Sequence, residues 1–139
     1  MFGKSGIESA EVIKKLTEIV SPDLVIVIDT FVSNSIKRLG KSVQISSCGI
    51  SPGAGVGNYR KDINFKYLKL PVFSIGVPLL ISAETLSQST KNNKLLKEFV
   101  VMNKEIEKDV KYFSTIIANA INLALHKNVT LKEINELMY

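Results

Sequence analysis

Hydrophobic positions change their period several times along the chain, and each change marks an element. Ile7, Ala10, Ile13, Leu16 and Ile19 recur at helical intervals, until Ser21-Pro22 interrupts them with a residue that cannot continue a helix. Ser5-Gly6-Ile7-Glu8 has the spacing of a capping box at the start of this first helix. Leu24-Val25-Ile26-Val27-Ile28 is then a continuous β-branched and apolar run without alternation, too short for a typical helix. Such a run predicts a central strand of a parallel sheet, buried on both faces. Thr30 to Leu39, with Phe31, Val32, Ile36 and Leu39, predicts a short helix or a loop that ends at Gly40. Val43-Gln44-Ile45-Ser46 reads as a second strand, and Pro71-Val72-Phe73-Ser74-Ile75-Gly76-Val77-Pro78 as a third, bracketed by prolines that cannot donate within a ladder.

The second half changes character. A helix is expected from Ser82 to about Ser89, then a polar turn at Thr90-Lys91-Asn92-Asn93, before which the sheet should end. From Asn103 onward, Ile106, Val110, Phe113, Ile117, Ala120, Ile121 and Ala124 form a helical stripe over roughly six turns. Thr130-Leu131-Lys132-Glu133 repeats the capping-box spacing and predicts a short terminal helix. Alternation of strand, loop and helix predicts an α/β fold. A chain of 139 residues with no internal repeat or low-complexity linker is expected to form one domain over 1–139.

Composition narrows the setting. The chain is 45% hydrophobic and 22% charged, outside the profile that keeps chains disordered. Its net charge of +5 could attract an acidic partner, but Glu98, Glu105, Glu107 and Asp109 are interleaved among the central lysines, so a nucleic-acid partner is not expected. Cys48 stands alone, which suits a reducing compartment such as the cytoplasm and cannot supply a zinc site. The polar start Met1-Phe2-Gly3-Lys4-Ser5-Gly6, and the lack of any apolar run near ~20 residues, predict neither secretion nor membrane insertion. No cofactor or metal is expected.

Candidate chemistry gathers between Val25 and Lys61. Asp29 ends the strand run, where open α/β folds present groups to ligands. A carboxylate there can serve as general base, metal ligand or one member of an acid pair, or it can simply cap a segment starting at Thr30. Pro52-Gly53-Ala54-Gly55-Val56-Gly57-Asn58 puts glycine at every second position, which allows close backbone approach to a ligand. It lacks both the P-loop ending and the dinucleotide spacing. Gly53, Gly55, Gly57 and Asn58 are therefore candidate loop residues, and Arg60 a candidate for binding a substrate carboxylate or an internal acid. Glu8 could face the same site, although the capping box also explains it. His126, at the end of the long helix, reads as a C-terminal helix contact.

These residues, in order, resemble the germination protease family of spore-forming bacteria, endopeptidases that degrade small acid-soluble spore proteins. The resemblance lies in Ser5-Gly6-Ile7-Glu8, residues 22–29 ending in Asp29, residues 43–46, Gly49-Ile50, Pro52-Gly53, Gly55-Val56-Gly57-Asn58, Arg60-Lys61, residues 70–72 and 75–78, and Ala118-Asn119 to His126. It covers nearly the whole chain but only the C-terminal part of a full family member. It implies a three-layer α/β/α fold with a mainly parallel central sheet, phosphorylase/hydrolase-like and akin to hydrogenase-maturation endopeptidases, here incomplete. It also implies an atypical aspartic-type protease with two essential aspartates, one of which maps onto Asp29. The other belongs to an Asn-Val-Thr-Pro-Asp-Ala-Leu-Gly-like motif that this chain does not contain, so the resemblance implies activity only with a complementary N-terminal half. Ser47, Cys48 and Ser51 depart from the Asp, Thr and His often found there. A homo-oligomer and a place in the spore core or forespore are further implications. The alternative is an inactive binding or regulatory module that keeps the protease fold.

Overall fold

The computed structural model describes residues 8–87, Leu96 and residues 99–138. The chain divides into two compact units, Met1–Asn103 and Lys104–Tyr139. The first is a mixed sheet with helices. Helix α1 (Ser9–Val20) is followed by β1 (Val25–Ser33), a 3-10 turn (Ile36–Arg38), β2 (Gln44–Ser46) and a second 3-10 turn (Ala54–Val56). Then come the one-turn helix α2 (Phe65–Leu68), β3 (Val72–Ser82), the one-turn helix α3 (Ala83–Leu86) and β4 (Val100–Met102). The second unit consists of α4 (Ile106–Leu125) and α5 (Leu131–Met138).

The sheet is built around β3. It pairs in parallel with β1, Val25 opposite Val72 through Asp29 opposite Gly76, and antiparallel with β2 and β4. The fold is thus α/β, but the expected mainly parallel sheet is a mixed one. β3, not β1, is the central strand; among the described residues β1 pairs only with β3 and lies at the edge. β1 also runs four residues beyond Asp29, through the stretch expected to be helix or loop, so Asp29 lies in mid-strand. The 3-10 turn follows, and the Gly40 N–H donates to Pro78 O at 2.8 Å, tying this segment to β3.

β3 continues past Pro78, where the sequence pattern places its end, and reaches Ser82. The register shifts there: Phe31 pairs with Pro78 but Val32 with Leu80. A bulge opposite a residue without an N–H lets the strand pass a proline without an orphaned donor. β4 adds a strand after the polar segment, where the sheet was expected to have ended; its short apolar stretch Val100-Val101-Met102 carries no periodic signal. The predicted helix from Ser82 begins with Ser82 as N-cap, its Oγ accepting from Thr85 N at 3.2 Å, and is one turn long over the described residues. The turn at residues 90–93 and Ser5, Gly6 and Ile7 lie outside the described residues.

One face of the sheet is covered. Ala10 of α1, Val27 of β1, Ile63, Leu68 of α2 and Val72 of β3 form a buried cluster, with Ile13, Val25, Ile50, Tyr67 and Leu70 packed around it. Full burial of each such aliphatic side chain contributes about 1.5–3 kcal/mol. α1 ends at Ser21, which takes a left-handed conformation (φ 50°) and donates its N–H to Thr17 O at 2.9 Å. Lys14 and Lys61 flank the Tyr67 ring, each Nζ 4.9 Å from its centroid. Lys61 also pairs with Glu11 at 3.1 Å, and this hydrogen bond raises the lysine's pKa above its ordinary value.

In the second unit, α4 matches the predicted stripe, with Phe113 and Ile117 buried. The capping box at the start of α5 forms as expected. Glu133 accepts from Thr130 N at 2.9 Å and from its hydroxyl at 2.8 Å, while Glu133 N donates to Thr130 Oγ1 at 3.3 Å. His126 is the C-cap of α4, its N–H donating to Asn122 O at 3.0 Å.

Candidate functional site

Strand parity decides where Asp29 points. Side chains alternate across a strand, so Asp29 shares the face of Val27 and its register partner Gly76 the face of Val72 and Ser74. This is the face covered by α1 and α2. Asp29 lies two residues beyond the last core residue of β1, where the apolar packing gives way to an open pocket of about 480 Å³. Asp29, Thr30, Phe31 and Val32 of β1 line it, with Ser46 of β2, Ser74 and Leu80 of β3, and Gly49, Ile50, Ser51, Gly53, Ala54 and Gly55 of the loop. A larger groove of about 620 Å³ along α1 is bordered by Glu11, Lys14, Lys15, Glu18 and Tyr67. It is an open cleft among surface charges and contains none of the candidate residues.

The glycine loop is a built structure. Gly53 has φ +76°, and a Cβ there would overlap the carbonyl oxygen of Asn58, so both conformation and space require glycine. Asn58 N donates to Gly53 O at 2.9 Å, and Arg60 N to Pro52 O at 3.2 Å, closing the loop at its base. Gly55 packs directly on Val32; a Cβ there would overlap the valine side chain. The loop therefore lies against the strand that carries Asp29. Its outgoing arm is held twice more. Ile50 and Ile63 exchange two backbone hydrogen bonds of 3.0 and 2.9 Å, and the Ser51 hydroxyl donates to Asp62 at 2.6 Å.

Asp29 is exposed, and its Oδ1 accepts the N–H of Thr30 at 2.8 Å. Thr30 continues the strand, so this bond is no helix cap. It orients the carboxylate and leaves most of its acceptor capacity open to the pocket. The other hydroxyls near it are Ser46, Ser51 and Ser74, the last fully buried with its Oγ 3.4 Å from Ser46 O. A solvent-accessible carboxylate beside hydroxyls and a close-lying backbone loop can take or hold a proton while backbone groups align a polar chain.

The candidate residues thus separate into two groups. Asp29, Gly53 and Gly55 line the pocket; Gly57, Asn58, Arg60 and Glu8 do not. Gly57 is the left-handed end of the 3-10 turn, with open space where a Cβ would be. Asn58 and Arg60 close the loop through their backbone. Glu8 is the N-cap residue of α1, without a side-chain bond to its own helix. Its carboxylate instead accepts the N–H of Lys61 at 2.9 Å, a contact across 53 positions that anchors the loop's outgoing arm to α1. Glu8 thus acts as a tertiary tether, while Ser5, its expected capping-box partner, lies outside the described residues. Thr30, Ser46 and Ser74 were not singled out by the sequence, because a serine in a strand has no signal until pairing shows its neighbours. Among the described residues no group of three or more His, Cys, Asp or Glu could hold a metal.

An α/β sheet here places a strand-borne carboxylate beside a glycine loop, residue types that acid–base chemistry can use. The comparison with known proteins identifies the family. The profile of the germination protease family matches residues 1–100. A germination protease of Clostridium perfringens (strain ATCC 13124) is 37% identical over 174 aligned positions, covering 99% of this chain and 54% of the relative. That of Caldanaerobacter subterraneus subsp. tengcongensis is 36% identical, covering 100% and 54%, and that of Priestia megaterium 33%, covering 94% and 34%. The chain belongs to the germination protease family. It spans about half the length of the first two of these relatives.

Proposed function

We propose that this chain is the C-terminal part of a germination-protease-like endopeptidase that acts on small acid-soluble spore proteins during germination. The single observation that carries the reading is the exposed Asp29 carboxylate, which accepts Thr30 N at 2.8 Å and lines one pocket together with Gly53 and Gly55 of the glycine loop, in a chain of this family. In this reading both compact units belong to one germination-protease-like domain over 1–139. Its sheet is the core of a three-layer α/β/α fold, akin to hydrogenase-maturation endopeptidases, of which part is supplied from outside this span. Asp29 is one of two carboxylates that share a proton: one withdraws a proton from water as it attacks the peptide carbonyl, and the other protonates the leaving group. Exposed backbone groups around Gly53 and Gly55 align the substrate strand. The substrate places the activity in the spore core or forespore, and the assembled enzyme is a homo-oligomer.

A second reading has an observation of its own. Among the described residues Asp29 is the only acid lining the pocket, and half of an acid pair has little catalytic power. The chain would then be an inactive binding or regulatory module that retains the site's shape, with Ser47, Cys48 and Ser51 marking its departure from the enzyme.

The test supplies the missing half. Combined with the part of the Clostridium perfringens relative that the chain does not span, it should cleave a small acid-soluble spore protein, and Asp29→Asn should reduce the rate at least about 10³-fold. Cleavage that survives Asp29→Asn removes the aspartate-pair mechanism. A reconstituted complex that binds the spore protein without cutting it establishes the binding module.

A further inference from the structure

The bridge that closes the glycine loop also fixes the polarity of one hydroxyl on the Asp29 pocket. Ile50 and Ile63 exchange both backbone hydrogen bonds, so the next rung, Ser51 and Asp62, is a non-hydrogen-bonded pair whose side chains stand close together. The Ser51 hydroxyl donates to Asp62 Oδ1 at 2.6 Å, in the range of a charge-assisted bond. The direction of that bond is imposed from α2. Tyr67 N donates to Asn64 Oδ1 at 3.0 Å, and a backbone N–H cannot exchange its role for an acceptor's. Asn64 therefore turns its Nδ2 to Asp62 Oδ2, at 3.3 Å, which leaves Asp62 Oδ1 for the serine. With its proton taken, the Ser51 oxygen has only lone pairs to offer.

Ser46 is arranged the opposite way. Its Oγ accepts Cys48 N at 3.1 Å, and among the described residues its proton is donated to none. Both serines line the pocket with Asp29, and Asp62 does not. One hydroxyl set to accept and one free to donate match the alternating N–H and C=O groups of an extended polypeptide. We infer that Ser51 binds the main chain of a polypeptide in this pocket, its Oγ accepting one amide N–H while Ser46 donates to a carbonyl, and that Asp62 is the residue that positions Ser51. The inference rests on the reading of this pocket as the substrate site of an endopeptidase. Asp62 acts through polarity. In Asp62→Asn an NH2 group must face either Asn64 Nδ2, setting donor against donor, or Ser51, releasing the serine proton to donate into the pocket.

The test replaces single amide N–H groups. The full chain, as Asp29→Asn so that nothing is cut, is combined with the unmatched segment of the Clostridium perfringens relative. Binding of fluorescent peptides spanning a small acid-soluble spore protein is measured by anisotropy, and the tightest is remade as a set of single-ester analogues, each lacking one N–H. Ser51→Ala should weaken binding of the amide peptide about tenfold, and Asp62→Asn by a similar factor, while Ser51→Thr, which keeps the hydroxyl, should restore it. For one ester analogue the Ser51→Ala and Asp62→Asn penalties should both vanish, because the donor they act on is gone. A penalty of equal size for every analogue means a disturbed loop and overturns the inference, as does the absence of any peptide binding. Cleavage by the chain with Asp29 intact is followed in parallel. Ester-specific dependence on Ser51 without cleavage sustains the inference and removes the protease reading. Cleavage that requires Asp29, with Kd and KM unmoved by Ser51→Ala, overturns the inference and leaves the protease reading in place.

Discussion

Val27 and Ile28 are adjacent β-branched aliphatics in one strand. Val27 is 8% exposed, in the cluster with Ala10, Leu68 and Val72; Ile28, pointing the other way, is 55% exposed. The same contrast separates Val72 from Phe73 in β3, at 2% and 39%. Residue type therefore does not decide burial here; the presence of a layer does. α1 and α2 cover one face, and the pocket with Asp29 opens where that cover ends. The comparison teaches that the candidate pocket beside Asp29 and the exposed Ile26 and Ile28 lie on opposite sides of one strand.

Substitutions of matched chemistry on the two faces would break or sharpen this contrast. The largest effect is expected from Val27→Asp, which places an unpaired charge inside the core cluster and should cost more than about 4 kcal/mol, enough to abolish cooperative unfolding of the sheet unit in urea. Gly53→Ala comes next. Strain at φ +76° and overlap with Asn58 O should cost about 1–3 kcal/mol, and altered exchange protection at Asn58 N would locate the effect in the loop.

A smaller effect is expected away from the sheet, at the start of α5. Glu133 is held below its ordinary value of 4.5, first by the backbone N–H of Thr130 and then by its hydroxyl. The folded value being depressed, this stabilisation is complete above about 4.5 and is lost as the pH falls through the lower folded value. Titration of Glu133 by nuclear magnetic resonance should show that midpoint, and Thr130→Ala should move it part of the way back, because the backbone donor remains. The smallest effect is Ile28→Asp, expected to change the unfolding free energy of the isolated chain by no more than about 0.5 kcal/mol. A loss close to that of Val27→Asp would show that the two faces are equally buried and would end the comparison.

Much of the local structure was legible in the pattern. The stripe from Ile106 to Ala124 predicts α4, and Thr130 with Glu133 predicts the cap of α5, because both depend on neighbours three or four positions away. Strand errors share a different cause. The five apolar residues of 24–28 look like a central strand, but edge or centre depends on which strands pair with them, and that is a long-range fact. Phe31 and Val32 carry no period to separate strand from helix; pairing with Pro78 and Leu80 decided it. Pro78 ended the third strand on paper and is crossed by a bulge in the fold. At the site, Asp29 and the glycine loop were visible as unusual residue types. Glu8 was not readable as a tether, since its partner Lys61 N lies 53 positions away.

By itself the sequence determined the α/β alternation, the family, the acid at position 29 and the glycine spacing beside it, because each is written in residue identity and short-range order. Tertiary structure alone decided that Asp29 stands in mid-strand on the covered face, that Gly53 and Gly55 reach its pocket while Glu8, Asn58 and Arg60 hold the loop in place, and that half of an apolar run stays open to water. Side-chain parity and layer extent set these outcomes, and both arise only when distant strands pair.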